Sequence, residues 1–288
     1  MTVNINAYAK INLFLDIESL REDGYHNILS LMQSVSLCDD VTVEHTPSEK
    51  KQILVECDNP LIPCNSKNLA YKAADIYPIS GTIKIFIKKR IPMSAGLAGG
   101  SADAAAVLLA LNKLSGEPMP IEELKALGNR LGADVPFCIE QGACIAKGTG
   151  DILIKTNTMP IYPIVIARKG DGMSTPEAYR SLDKNYNRFA DYAPKRELLE
   201  ALTSADNDTA ICDYTKGFFN IFESVVEPCR PAVTELKGIM MNFGASGAMM
   251  SGSGTSVFGV FENEDDAKNA ISALIDAGAV AYLCYPLR

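Results

Sequence analysis

The sequence predicts an α+β protein of two domains, on three observations. Residues 3–17 alternate apolar and polar side chains, the period-2 pattern of a long strand. A glycine-rich segment at 91–104 stands between an alternating strand pattern at 82–88 and an Ala/Leu-rich helical run that ends near Gly116. After a polar, proline-marked break at Thr156–Pro160, strands and helices interleave again, as expected for helices packed on one antiparallel sheet. A chain of 288 residues holds one large domain or two small ones, and the break divides this one into 1–157 and 158–288.

At the N-terminus Val3, Ile5, Ala7, Ala9, Ile11, Leu13, Leu15 and Ile17 are small or apolar, and polar or bulkier residues alternate with them. The pattern predicts a strand with one buried face. It sets Lys10 and Asn12 side by side on the other face, with Tyr8 nearby. Spacing alone leaves two readings: an ordinary solvated lysine, or a lysine held rigidly toward a cleft, available to an oxyanion. Asp23-Gly24 marks a turn. Tyr25 and His26 follow at the loop end, placed either to pack locally or to meet a planar ring. Residues 28–45 suggest one or two strands and 53–57 another. Residues 68–77 read as a helix stopped near Pro78.

Ile91-Pro-Met-Ser-Ala-Gly-Leu-Ala-Gly-Gly-Ser-Ala-Asp-Ala104 then joins strand to helix. Glycines let a loop take positive φ and bring backbone close to a ligand. Ser101 is a candidate N-cap, and a helix start offers unpaired N–H groups to an anion. The segment lacks the Gly-Lys-Ser/Thr of a Walker A loop and the spacing of a dinucleotide fingerprint. Ser94 and Ala98 need backbone angles that a residue with a side chain can adopt.

Residues 120–131 predict a helix with Ile121, Leu124, Leu127 and Leu131 on one face and Gly132 at its end. Asp134 comes next, ahead of Val135-Pro136. It either caps a short following helix or is a carboxylate delivered by a tight turn. Residues 142–155 read as strand and turn, with Lys147 at the tip within reach of an anionic ligand.

In the second half Met159–Arg168 starts a fresh strand, 174–179 opens a helix, and 183–195 reads as an exposed loop. Helices follow at 197–205, 216–226 and 231–242. Two strands flank Ser251-Gly-Ser-Gly254, 264–278 is an amphipathic helix, and 280–285 closes as a strand.

The net charge of −8 and pI of about 4.9 disfavour general nucleic-acid binding, which needs a basic surface. Positive potential for a phosphate compound must then be concentrated locally. No apolar run has membrane-spanning length and the N-terminus has no signal-like character, which predicts a cytoplasmic protein without a membrane partner. None of the eight cysteines forms Cys-x-x-Cys, so buried reduced thiols are expected. Two histidines leave little room for a His-rich metal site.

Ala9-Lys-Ile-Asn-Leu13, the Pro92–Asp103 loop and Ser251–Gly254 stand in an order that resembles the three motifs of the GHMP kinases, along nearly the whole chain. The resemblance implies a two-domain fold: an N-terminal ATP-binding domain like the second domain of ribosomal protein S5, and a C-terminal ferredoxin-like domain. Asp23-Gly-Tyr-His26 and Gly132-Ala-Asp-Val-Pro136 are similar to one branch of the family. That branch phosphorylates the 2-hydroxyl of a methylerythritol unit carried on cytidine diphosphate, in the non-mevalonate route to isoprenoids.

By matching position, the resemblance gives Lys10 and Asp134 the catalytic roles. Pro92, Met93, Ser94, Ala95, Gly96, Leu97, Ala98, Gly99, Gly100, Ser101, Ala102 and Asp103 hold the ATP phosphates. Asn12, Tyr25, His26, Lys147 and Tyr179 meet the substrate, and the Ser101 hydroxyl serves Mg²⁺. The third motif packs on the phosphate loop. ATP, Mg²⁺ and a small cytidine diphosphate substrate are the expected ligands, and a monomer or weak homodimer the expected state. The loop departs from many relatives in having fewer glycines and Ala102 in place of a second serine. The motifs also suit a family member with another alcohol acceptor, or a phosphate-ligand-binding module without turnover.

Overall fold

Strands β1 (Thr2–Leu20) and β2 (His26–Thr46) each contribute to both of the compact units into which the chain divides. The structure, a computed structural model, describes residues 1–185, 194–206 and 209–288. One unit comprises Met1–Ala9, Cys38–Met93 and Ala98–Gln141; the other comprises Lys10–Leu37, Ser94–Leu97 and Gly142–Arg288. Compactness therefore does not follow a single cut at 157/158, because both long strands and the glycine loop pass from one unit to the other.

In the first unit the strand order is β3-β4-β2-β1, with β3 (Gln52–Cys57) parallel and β2 antiparallel to β4 (Thr82–Lys88). Alternation puts Ile83, Ile85 and Ile87 on the buried face of β4. Helix α1 (Leu69–Ile76) packs on β3 and on α2 (Gly99–Leu114), whose many alanines let backbones approach. α3 (Ile121–Asn129) and α4 (Val135–Glu140) complete the unit. The buried positions of α3 are Leu124 and Gly128, while Ile121 is exposed and Leu127 and Leu131 are half-buried. Gly128 sets this face, since a Cβ there would come within 2.9 Å of Val135 Cγ1. Gly132 does not form a left-handed cap; Arg130 ends the helix.

α1 has local reasons to start and stop. Asn68 accepts the Ala70 N–H with its side chain. At the other end Lys51 Nζ donates to the carbonyls of Ala74, Asp75 and Tyr77 at 3.1, 2.8 and 2.7 Å. The ammonium meets the negative end of the helix dipole and three acceptors the helix cannot satisfy itself.

In the second unit β5 (Ala143–Lys147) pairs with β2 and with β6 (Ile152–Lys155), and the short β8 (Phe219–Asn220) runs parallel to β1. A four-stranded antiparallel sheet has the order β11-β7-β10-β9, from β7 (Ile164–Arg168), β9 (Ala245–Met250), β10 (Val257–Phe261) and β11 (Val280–Cys284). Helices α9 (Pro231–Asn242) and α10 (Glu264–Asp276) pack against it. Between β7 and α9 lie α5 (Thr175–Asn185), α6 (Arg196–Ser204), α7 (Ile211–Tyr214) and α8 (Glu223–Val226). Strands before and after each helical stretch, in this sheet order, make the expected ferredoxin-like pattern.

Several expectations change. β1 is not buried on one face only: from Ala9 to Ile17 both faces are buried. Residues 28–45 form one strand. The helix expected at 216–226 is interrupted, because β8 pairs Phe219 and Asn220 with Phe14 and Leu15. Residues 183–185 end α5 instead of starting a loop, and the rest of that segment through 193 lies outside the described residues. Cys38, Cys138, Cys144 and Cys284 are buried free thiols, but Cys64, Cys212 and Cys229 are exposed.

Lys51→Met should lower the unfolding free energy by about 1–2 kcal/mol, the worth of a charge-assisted cap. Urea denaturation followed by circular dichroism measures it, and a midpoint equal to wild type would dismiss the cap.

Candidate active site

Within the second unit, three segments far apart in sequence are tied by one hydroxyl. Ser251 Oγ accepts the Asn12 backbone N–H at 3.3 Å and donates to the Gly96 carbonyl at 3.0 Å. Around it the Lys10 N–H donates to Leu97 O at 3.2 Å and the Ser256 N–H to Ala95 O at 3.2 Å. The turn itself is closed by Ser251 N–H to Ser256 O and Gly254 N–H to Ser251 O. The third motif thus packs on the loop segment 95–97, as the resemblance implied.

Lys10 is 5% exposed and Asn12 1%, which excludes the solvated-face reading. Lys10 Nζ donates to Asn12 Oδ1 at 2.6 Å, and Asn12 Nδ2 donates to Ser30 Oγ at 2.8 Å. Ser30 Oγ in turn donates a hydrogen bond to Phe14 O at 2.6 Å. A relay of this kind fixes the amide of Asn12, and with it one direction of the ammonium.

Glycine is required at two points of this junction. A Cβ on Gly96 would lie 2.0 Å from the Ser251 carbonyl oxygen, and one on Gly252 would lie 3.0 Å from the Gly96 carbonyl oxygen. Both residues have positive φ, +74° and +60°.

The loop leads into α2, where the expected N-cap needs correction. α2 begins at Gly99, so Ser101 lies in its first turn. The N-cap is Ala98, at φ 58°, whose methyl side chain makes no capping bond. Ser94 is likewise left-handed at φ 48°. Ala102 N–H makes a backbone bond to Ala98 O at 2.8 Å, so the preceding N–H groups of Gly99, Gly100 and Ser101 form the open positive end of a 16-residue helix with no acidic side chain in its first turn. That is the electrostatics of a phosphate cradle. Ala102 and Asp103 are buried, as are Ala95 and Leu97, and the Asp103 carboxylate is bonded by Lys89.

In the first unit Asp134 occupies the position before α4 but makes no side-chain capping bond to it, which removes the simple cap reading. The turn is held by backbone, Val135 N–H to Gly132 O at 3.1 Å. Gly132 lies against α2: a Cβ there would sit 4.0 Å from Ser101 Oγ. A serine hydroxyl and a carboxylate-bearing turn are hard oxygen donors of the kind Mg²⁺ accepts. Among the described residues no group of three or more His, Cys, Asp or Glu could hold a metal on protein ligands alone.

Tyr25 and His26, expected together, are separated by strand geometry. Tyr25 is 67% exposed, while His26, the first residue of β2, is 6% exposed. The His26 ring lies against Tyr179, centroids 4.8 Å apart, and Tyr179 meets Phe222 edge-on at 4.8 Å. A planar base cannot slide between His26 and Tyr179 without parting them. His26 Nε2 is 2.8 Å from Asp183 Oδ1. The turn before it is fixed by Asp23, which accepts the Tyr25 N–H at 3.1 Å. The Arg21 guanidinium beside it and that N–H hold the Asp23 carboxyl below its ordinary range. Lys147 is half-buried at the end of β5, and the next residue's carbonyl accepts the Ile28 N–H at 2.7 Å.

Three residues here escaped the sequence reading. Asn220 Nδ2 donates to Met250 O and Gly252 O, both at 2.8 Å, and so grips the third motif from β8. Thr175 Oγ1 and Ser253 Oγ are 2.9 Å apart. Asp183 orients His26.

A strand lysine, a glycine loop opening a long helix and a hydroxyl-bearing turn joined to that loop describe a kinase of the GHMP type. Residues 68–142 match the model of the GHMP kinases N terminal domain, and residues 196–280 that of the GHMP kinases C terminal domain. The chain belongs to the GHMP kinase family. It is 40% identical over 274 residues to the 4-diphosphocytidyl-2-C-methyl-D-erythritol kinase of Caldicellulosiruptor saccharolyticus, covering 94% of this chain and 92% of that one. The enzyme of that name from Acetivibrio thermocellus is 40% identical over 277 residues, 95% of each chain. A crystal structure of 4-(cytidine 5'-diphospho)-2C-methyl-D-erythritol kinase superposes with a TM-score of 0.80 at 34% identity, over 99% of both chains. Homoserine kinase from Cytophaga hutchinsonii, at 19% identity and a TM-score of 0.73 over 98% of this chain and 94% of its own, shares the fold.

Gly96→Ala should raise the KM for ATP by about tenfold or more, because its Cβ cannot coexist with the Ser251 carbonyl and the loop must move. Steady-state kinetics beside a far-UV spectrum tests this; an unchanged KM in a folded variant refutes it.

Proposed function

We propose that this chain transfers the γ-phosphoryl group of ATP to the 2-hydroxyl of 4-diphosphocytidyl-2-C-methyl-D-erythritol, in the non-mevalonate route to isoprenoid precursors. One observation carries the reading. The Lys10–Asn12 strand, the 95–97 loop and the Ser251 turn are joined through a single hydroxyl. They are joined in a chain 40% identical along nearly its whole length to kinases of that name.

Phosphoryl transfer depends on positioning and on neutralising charge. In this reading residues 92–101 cradle the triphosphate, with the N–H groups at the start of α2 and its dipole facing the anion. Mg²⁺, when bound, neutralises phosphate oxygens, and the Ser101 hydroxyl is the side chain that would hold it. Asp134 accepts the proton of the substrate hydroxyl or fixes its orientation. Lys10, its direction set by Asn12, stabilises the oxygen that attacks. Asn12, Tyr25, His26, Tyr179 and Lys147 meet the substrate, Tyr25 and His26 at its cytosine. Asp183, 2.8 Å from Nε2, fixes the orientation of the His26 ring.

Residues 1–157 then serve the nucleotide and 158–288 form the ferredoxin-like part. No described helix is long and apolar enough to cross a membrane. We place the enzyme in the cytoplasm as a monomer or weak homodimer, acting on small molecules and not on nucleic acid.

ADP release with Mg-ATP tests the reading, with the cytidyl substrate, homoserine, mevalonate and the acceptor lacking cytidine run side by side. Turnover should be confined to the cytidyl substrate. Asp134→Asn and Lys10→Met should each lower kcat by roughly 10²–10⁴-fold while nucleotide binding persists. Turnover of another alcohol in its place would discard the substrate; full activity in either variant would discard that residue's role.

A further inference from the structure

We infer that Lys89 is a positioning residue for ATP, a staple that joins the entrance of the phosphate loop to its exit. The inference rests on the reading of residues 92–101 as the stretch that cradles the phosphates.

Lys89 follows β4, three residues before Pro92, and belongs to the same unit as both its partners. Its ammonium bonds Asp39 on β2 and, at 2.8 Å, Asp103 Oδ2 on α2. Asp39 uses its other oxygen to accept the backbone N–H groups of Arg90 at 2.5 Å and Ile91 at 2.8 Å. One carboxylate therefore fixes the backbone entering the loop, and the other lies one turn into the helix that leaves it. The lysine joins them. The two ends also touch directly, since a Cβ on Gly99 would come 3.1 Å from Ile91 Cγ2 and 3.4 Å from Lys89 Nζ.

The burial argues for a role beyond stability. All three side chains are at most 5% exposed. Burying an ammonium between two carboxylates is rarely more stabilising than apolar packing of the same volume. The cluster is not even fully satisfied, because buried Asp103 Oδ1 has no hydrogen-bond partner. What it provides that apolar packing does not is direction: fixed angles between β2, the residues entering the loop and the first turns of α2. A lysine suits this because its three donors reach separate acceptors. The loop itself holds Ser94 and Ala98 in left-handed conformations that relax if its ends part.

The test uses the full chain with Mg-ATP and the cytidyl substrate. Lys89→Met should raise the KM for ATP by about tenfold or more, with kcat within about threefold and the KM for the alcohol within about twofold of wild type. Lys89→Arg, which keeps the charge and the donors, should recover most of the loss. Lys89→Met alone leaves two buried carboxylates face to face and is liable to unfold. The triple variant Asp39→Asn, Lys89→Met, Asp103→Asn removes all three charges together. It should melt near wild type and still show the raised KM for ATP. A folded triple variant with the wild-type KM for ATP overturns the inference, as does an equal rise in both KM values. Gly96→Ala separates the two levels. If it leaves the KM for ATP unchanged, the loop reading falls and the staple with it; if it raises the KM while the triple variant does not, only the staple falls.

Discussion

The Ser251 hydroxyl is the contact that joins three distant segments of the second unit. It is a donor to one chain segment and an acceptor from another, and a hydroxyl is the smallest side chain that can be both. Its neighbours leave no slack. Gly96 and Gly252 approach so closely that neither can carry a Cβ without displacing a carbonyl. Asn220 closes the arrangement from behind by holding the carbonyls on either side of Ser251. Rigid strands on both sides, β1 and β9, turn this small joint into a fixed distance between Lys10 and the loop segment 95–97.

The acidic composition acquires a local meaning here. A chain with net charge −8 must attract polyphosphates against its average field. In the reading proposed above, two positive sites supply the local attraction. One is a buried lysine whose ammonium is aimed by an asparagine. Another positive site is made by backbone alone, at the start of α2, where no carboxylate competes in the first turn. Burial of Lys10 leaves little room for screening by salt there.

What the sequence revealed followed from what is local. Period-2 alternation located β1, and the succession of strand, glycines and alanines located the loop and α2, because those patterns express burial and backbone freedom residue by residue. Pairing in space was not legible. Asn220 looked helical because a strand of two residues has no period to detect, and its pairing with Leu15 arises only from the fold. The N-cap was misplaced by three residues because serine is a strong cap former and alanine is not; the loop's closure, not capping preference, decided where α2 begins. Tyr25 and His26 are adjacent in sequence but differ in exposure, because Tyr25 ends the turn while His26 opens β2 among packed neighbours.

Ala98 carries one more consequence. A glycine at that position would take the left-handed angle without strain, at a cost in alanine of about 1–2 kcal/mol. Alanine, in return, has far fewer backbone states to choose from when no nucleotide is present. The binding of ATP then freezes less motion than it would in a glycine-richer loop, so calorimetry on this chain and its Ala98→Gly counterpart should show the smaller entropic penalty here. A loop poorer in glycine is in this sense a loop whose ordering was completed when the chain folded.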